Sequence, residues 1–290
     1  MAVASAASVS DRNRSWPAPA KLNLCLHITG RRSDGYHELQ TVFQFLDFGD
    51  ELRFAVSEHG PVRRLRELAG VPEDADLTVR AARLLKDAGA TPMGVDIDLH
   101  KRLPAGGGLG GGSSDAATTL VALNRLWGLG LSVDRLAQLG LSLGADVPVF
   151  VRGAAAWAEG VGECLTPVTL PEDWFVVIVP PVTVSTAGVF SDPELTRDSP
   201  PITISDFFAD GGRNDCEAVV RRRHPEVARA LDWLGRRAPA RLTGTGGCVF
   251  AAFGERADAQ AVLEQLPAGW TAFVAQGRNR SPLMDRLASE

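Results

Sequence analysis

The chain has 290 residues, 45% of them hydrophobic and 22% charged, and thirty basic against thirty-five acidic side chains give a net charge of −5. That length suits one large or two ordinary domains with ample core, and the composition is that of a soluble globular protein. The slight acidity gives no reason to expect nucleic acid or an anionic membrane as a partner.

Residues 1–15 contain no basic segment leading into an apolar one, so they read as a flexible lead-in rather than a secretory signal. Residues 22–28, Leu-Asn-Leu-Cys-Leu-His-Ile, alternate apolar and polar as a half-buried strand does. After a loop at 30–35, strand-like segments run through Leu39, Val42, Phe43 and Phe45 and again over 51–56. The spacing predicts a helix over 77–86, with Leu77, Ala81, Leu84 and Leu85 on one face. Residues 95–100 alternate again and deliver the chain to a glycine run at 106–112 that only Leu109 interrupts. Ala116, Leu120, Leu123 and Trp127 then recur at helical spacing, which predicts a helix from about Asp115 with Ser113, Ser114 and Asp115 as N-cap candidates.

Further helical segments are expected at 133–141, 219–234 and 255–266, with strands at 175–179 and 271–275. Residues 145–150 read as a turn or helix start, and 241–251 as a second glycine-rich turn entering a strand. The composition change at 166–173, with Pro167 and Pro171, reads as a domain crossing, dividing the chain into 16–165 and 166–290. Strands cluster early, with helices among them and no regular βαβ alternation, so a two-domain α+β fold is expected. The basic clusters Arg63-Arg64 and Arg221-Arg222-Arg223 lack interleaved aromatics and read as solvated helix faces.

Cys25, Cys164, Cys216 and Cys248 are widely spaced, and the five histidines form no helical pairs. That argues against a zinc site and fits a reducing compartment. No apolar run approaches the length of a membrane span. The expected location is the cytoplasm.

The glycine run carries the chemistry. Each glycine loses more backbone freedom on folding than any other residue, so a run that leads into a helix needs a reason. A loop free of side chains feeding a helix N-terminus directs several N–H groups and the positive dipole end at an anion, which points to phosphate. A Walker loop is excluded, because no lysine follows Gly112. Gly106-x-Gly108-x-x-Gly111 formally satisfies the dinucleotide fingerprint, but residues 101–104 make too long an entry for that fold's tight first turn. The companion motifs of a protein kinase are absent.

Residues 104–117 resemble the phosphate loop of the GHMP kinases. Pro17-Ala18-Pro19-Ala20-Lys21-Leu22-Asn23-Leu24 is similar to that family's first motif, and Leu242-Thr243-Gly244-Thr245-Gly246-Gly247-Cys248-Val249-Phe250 to its third. Four further details resemble the branch that acts on a cytidine-diphosphate sugar alcohol: residues 30–37, the lengthened glycine run, residues 143–150, and Gly160-Val161-Gly162-Glu163. The resemblance implies a two-domain fold with its active site in a cleft, and an ATP- and Mg²⁺-dependent kinase with a small-molecule substrate, monomeric or weakly dimeric.

By the same resemblance Asp146 is the catalytic base and Lys21 the stabilising ammonium. Read alone, Asp146 is equally a helix cap and Lys21 a surface lysine. ATP would lie on Pro104, Ala105, Gly106, Gly107, Gly108, Leu109, Gly110, Gly111, Gly112, Ser113 and Ser114, with Asp115 turned away to cap its own helix. Lys101 either reaches the adenine side or is an ordinary strand-end charge. Ser113 or Ser114 would hold Mg²⁺, Ser114 being the candidate ligand. Tyr36 and Phe190 would sandwich the cytosine, His37 would bond its edge, and Asn23, Thr186 and Asp146 would contact the alcohol; Phe190 is alternatively core. The competing functions are a homoserine- or mevalonate-type kinase and a non-catalytic nucleotide sensor.

Overall fold

Alternation along the first strand sets the frame. The computed structural model describes residues 14–289, so the expected lead-in lies outside the described residues except for Arg14 and Ser15. In β1 (Trp16–Arg31), Trp16, Ala18, Ala20 and Leu22 are buried. Lys21 and Asn23, two apart and so on one face, flank the core residue Leu22.

β1 pairs antiparallel with β2 (His37–Ser57), but its register shifts between Pro19 and Lys21 and between Asn23 and Leu26. Where the ladder breaks, its donors turn elsewhere. Lys21 N–H donates to the Leu109 carbonyl at 3.0 Å and Leu26 N–H to the Arg213 carbonyl at 2.8 Å. One strand is thereby bonded to both the glycine loop and a distant loop.

β2 is one continuous strand where the sequence pattern predicts two. Asp47-Phe48-Gly49-Asp50 looks like a turn, yet the strand runs through it. A Cβ on Gly49 would overlap the Ala18 carbonyl oxygen, so glycine lets β1 close onto β2. Asp50 is 1% exposed and is held by main-chain N–H groups, as described below.

The remaining elements follow in order: β3 (Val62–Arg64), α1 (Leu77–Ala88), β4 (Gly94–His100), α2 (Gly111–Leu126), α3 (Val133–Leu141), α4 (Val147–Arg152), β5 (Ala156–Glu159), β6 (Cys164–Pro167) and β7 (Trp174–Val179). Then come α5 (Thr186–Phe190), α6 (Ile204–Asp210), α7 (Glu217–Arg223), α8 (Pro225–Gly235), β8 (Ala240–Leu242), β9 (Val249–Phe253), α9 (Arg256–Glu264), β10 (Thr271–Arg278) and α10 (Pro282–Ala288). The sheet order is β3-β4-β2-β10-β7-β9-β8, with β1 and β5 also on β2 and β6 on β5. β10 joins the halves, pairing with β7 over Thr271 to Gln276 and with β2 through Gly277 and Arg278. The fold is α+β.

Among the described residues four apolar clusters organise the interior, the smallest around Cys25, Val42, Trp157 and Phe207. One gathers Phe45, Leu52, Leu85, Leu120 and Phe150 under α1 to α4. A second gathers Ile28, Val176, Val219, Leu231 and Val249 under α7 and α8. Between them Leu22, Leu103, Leu109, Val177 and Phe250 form a third, directly beneath the glycine run. α10 returns to the first cluster through Leu283.

Arg63 and Arg64 prove to lie on a strand, not a helix face. Arg64 is ion-paired to the buried Asp76 at 2.8 Å, and Asp76 caps α1 through the Thr78 N–H. Arg221, Arg222 and Arg223 do lie on a helix, within ion pairs to Glu217, Asp232 and Asp192.

Candidate active site

The glycine run is shaped by alternating backbone hand. Gly106, Gly108 and Gly110 have φ of 68°, 76° and 72°, a region costly to any residue with a Cβ, while the residues between them do not. Such alternation turns successive N–H groups into one concavity suited to an anion. Leu109, 1% exposed, pins the run to the middle cluster. From beneath, Cys248 N–H donates to the Gly107 carbonyl at 3.0 Å and Thr243 Oγ1 to the Gly108 carbonyl at 3.2 Å. The second glycine-rich turn therefore supports the first.

α2 begins at Gly111, earlier than the spacing predicts, with Gly110 at the N-cap and no side-chain cap. Ser113, Ser114 and Asp115 are thus inside the first turns, not caps. Ser114 N–H makes the first intrahelical bond, to the Gly110 carbonyl at 2.8 Å. The preceding N–H groups of Gly111, Gly112 and Ser113 lie ahead of that ladder, continuing the concavity at the positive end of the dipole.

Lys21 enters from β1. It is 3% exposed, its ammonium donates to Asn23 Oδ1 and, at 3.1 Å, to the Gly108 carbonyl, and it lies 3.3 Å from Asp146 Oδ2. The same ammonium lies over the Phe43 ring, 5.3 Å from its centroid. Asp146 sits at the N-cap position of α4 yet makes no cap bond, so its carboxylate is left to Lys21 and the cleft. Asn23 is fixed by its Nδ2 donation to Thr41 and by Thr243 Oγ1 on its N–H. An ammonium held between a carboxylate and a phosphate-shaped loop can steer an alcohol onto a phosphoryl group.

Behind the loop two carboxylates share one cation. Lys101 Nζ donates to Asp50 and, at 2.8 Å, to Asp115. Asp50 Oδ1 also accepts the Arg102 and Leu103 N–H groups, so the triad ties the loop's entry to its exit helix. Burial pushes the Asp115 carboxyl up to about 8, Lys101 opposes that and Asp50 adds to it. Burial opposes the charge on Lys101, but Asp115 and Asp50 outweigh it and raise its pKa. A carboxyl whose folded pKa exceeds its unfolded one holds a proton that the unfolded chain has lost, so stability falls as pH rises toward the folded value. Between pH 6.5 and 8 the wild-type protein is expected to lose on the order of 2 kcal/mol. Asp115→Asn should flatten that slope in denaturant titrations across pH, and an unchanged slope would refute the assignment.

At the far end of the same cavity, His37 stacks on Phe190 with centroids 4.9 Å apart and planes 22° apart. Tyr36 stands beside them, 62% exposed, its N–H bonded to Asp34. The Thr186 hydroxyl meets that of Thr245 at 2.9 Å, linking α5 to the second glycine turn.

The chain matches the family description "GHMP kinases N terminal domain" over residues 76–154 and "GHMP kinases C terminal" over 203–272. It is 62% identical over 273 residues, 94% of this chain and 97% of the relative, to 4-diphosphocytidyl-2-C-methyl-D-erythritol kinase of Pseudomonas paraeruginosa. The chain belongs to this kinase family. A crystal structure of 4-(cytidine 5'-diphospho)-2C-methyl-D-erythritol kinase superposes with a TM-score of 0.79 at 34% identity, covering 91% of this chain and 99% of that one. A homoserine kinase from Cytophaga hutchinsonii has the same fold at TM-score 0.63 and 16% identity, over 94% of this chain and 97% of its own. As a GHMP kinase the protein is an ATP-dependent small-molecule kinase, not a sensor.

All the expected site residues except Ser114 line one cavity of 1090 Å³. Ser114 is fully buried beside it, its Oγ without a hydrogen-bond partner among the described residues. The cavity also has an apolar wall the sequence did not reveal, made by Leu68, Val71, Ala75 and Leu77. Leu77 lies on the expected helix face, but Leu68, Val71 and Ala75 stand in no periodic segment; a bridge pairs Leu68 with Val71. Arg197, bonded to His37, likewise stands in no recognisable motif.

Proposed function

We propose that this enzyme transfers the γ-phosphoryl group of ATP to the tertiary 2-hydroxyl of 4-diphosphocytidyl-2-C-methyl-D-erythritol, a step toward isoprenoid precursors, in the cytoplasm. The observation that carries it is the Lys21–Asp146 pair, 3.3 Å apart, set against the Gly108 carbonyl in a chain 62% identical to kinases of that name. The homoserine kinase that shares the fold is only 16% identical.

Phosphoryl transfer needs positioning and charge stabilisation more than covalent help. The triphosphate lies along residues 104–113, its charge met by loop and α2 N–H groups. Its adenine occupies the slot of Leu68, Val71 and Leu77. The acceptor oxygen attacks the γ-phosphorus, the bond from that phosphorus to the β,γ-bridging oxygen breaks, ADP leaves and the hydroxyl proton passes to Asp146. Lys21 faces the negative charge that develops between them.

Magnesium fits as an ion that enters with the nucleotide. Among the described residues no cluster of three or more His, Cys, Asp or Glu side chains could hold a resident metal. The orphaned Ser114 Oγ is the oxygen such an ion would engage, directly or through water, with Ser113 beside it. When bound, the ion supplies charge neutralisation on the phosphates. Cytosine lies between Tyr36 and Phe190, with His37 on its edge, and Asn23 and Thr186 meet the alcohol.

An ADP-release assay tests the reading. Turnover is expected with the cytidine-diphosphate alcohol and not with homoserine or mevalonate; the reverse would overturn it. Tyr36→Ala should raise KM for the cytidine substrate on the order of tenfold, since stacking on a base contributes about 1–3 kcal/mol, while KM for ATP stays put.

A further inference from the structure

We propose that Arg197 is a specificity-determining positioning residue, which fixes His37 as an Nδ1–H donor and so selects cytosine, with its acceptor at ring N3, over uracil. This rests on the cytidine reading above.

Arg197 Nε–H points at His37 Nε2 at 3.1 Å. A guanidinium donates and never accepts, so Nε2 must present its lone pair. A neutral imidazole then carries its one proton on Nδ1. Among the described residues no other hydrogen bond reaches this ring, which leaves Nδ1–H for a ligand. Burial, followed by the charges of Arg197 and Arg31, holds the ring's pKa below its ordinary value and keeps it neutral.

Arg197 is itself immobilised. Its Nη1 donates to the Leu195 carbonyl at 3.0 Å, and its Nη2 to the carbonyls of Phe190 and Asp192, both at 2.8 Å. Asp192 is in turn ion-paired to Arg222 and Arg223 of α7. One guanidinium thus sets the tautomer of His37 and holds the backbone of the aromatic stacked on it. Cytosine offers a lone pair at N3 where uracil carries N–H, so a fixed donor is matched by one base and opposed by the other. A site built to hydrogen-bond one group strongly rejects the analogue that cannot answer it.

Two measurements decide this. In two-bond ¹H–¹⁵N spectra of the wild-type enzyme, with the signal assigned by its loss in His37→Gln, the ring should be in the Nδ1–H form. An Nε2–H ring would overturn the proposal whatever any variant does. Arg197→Met should narrow the ratio of kcat/KM for the cytidine substrate over its uridine counterpart about tenfold, the scale of one hydrogen bond, mainly through KM. Arg197→Lys, which keeps a donor, should restore part of that ratio. An unaltered ratio in a folded Arg197→Met, judged by its KM for ATP, would also overturn it. Failure of the wild type to turn over either substrate would refute the functional reading instead, while the tautomer still reports on Arg197.

Discussion

Asp146→Asn is expected to lower kcat on the order of 10²-fold or more while the protein keeps its melting temperature. The amide fills the same volume but cannot take the acceptor's proton, and Asp146 makes no cap bond whose loss would loosen α4. Lys21→Met should cost a similar factor for a different reason. The methionine keeps an unbranched apolar side chain but removes the charge that lies over Phe43, is bonded to Asn23 and Gly108 and is paired with Asp146. If the two groups act as a unit, the double variant should be scarcely slower than either single one. Single-turnover rates at saturating substrates provide the measurement. A purified, folded Asp146→Asn that retains near-wild-type kcat would remove the base assignment.

Gly108→Ala is expected to raise KM for ATP on the order of 10²-fold, the effect of displacing a binding group by about an ångström. Two costs coincide there. The backbone sits at φ of 76°, unfavourable for alanine, and the added methyl would overlap the Thr243 carbonyl oxygen, a backbone atom that cannot rotate aside. Gly112→Ala is the control. It lies in α2 without positive φ, and its methyl would meet only the Leu77 Cδ1 at 3.2 Å. Nucleotide titrations of the two variants should therefore differ widely, and equal affinities would show that the loop's shape is not what grips ATP.

Local signals were readable where one segment's chemistry was sufficient. α3 falls where the spacing places it, and α1 and β4 come within a few residues. α2 starts earlier than its spacing predicts: Ser113-Ser114-Asp115 looks like a cap, whereas Lys101, distant in sequence, claims the Asp115 side chain. The sequence pattern divides β2 because Asp47-Phe48-Gly49-Asp50 has the composition of a turn. Its straight course depends on β1 closing over Gly49 and on the N–H groups of Arg102 and Leu103 reaching Asp50.

The amino-acid order alone pointed to a phosphate held by main chain, because six glycines ahead of an amphipathic segment leave few other physical uses. It also marked Lys21, Asp146 and the Tyr36-His37 pair through motifs that each lie within a few residues. Only the tertiary structure decided that Asp146 faces Lys21 instead of capping α4, that Lys101 bridges Asp50 and Asp115, and that Arg197 bonds to His37. Each of those is a contact between residues far apart in the chain, and no local spacing encodes which distant partner will satisfy a buried polar group.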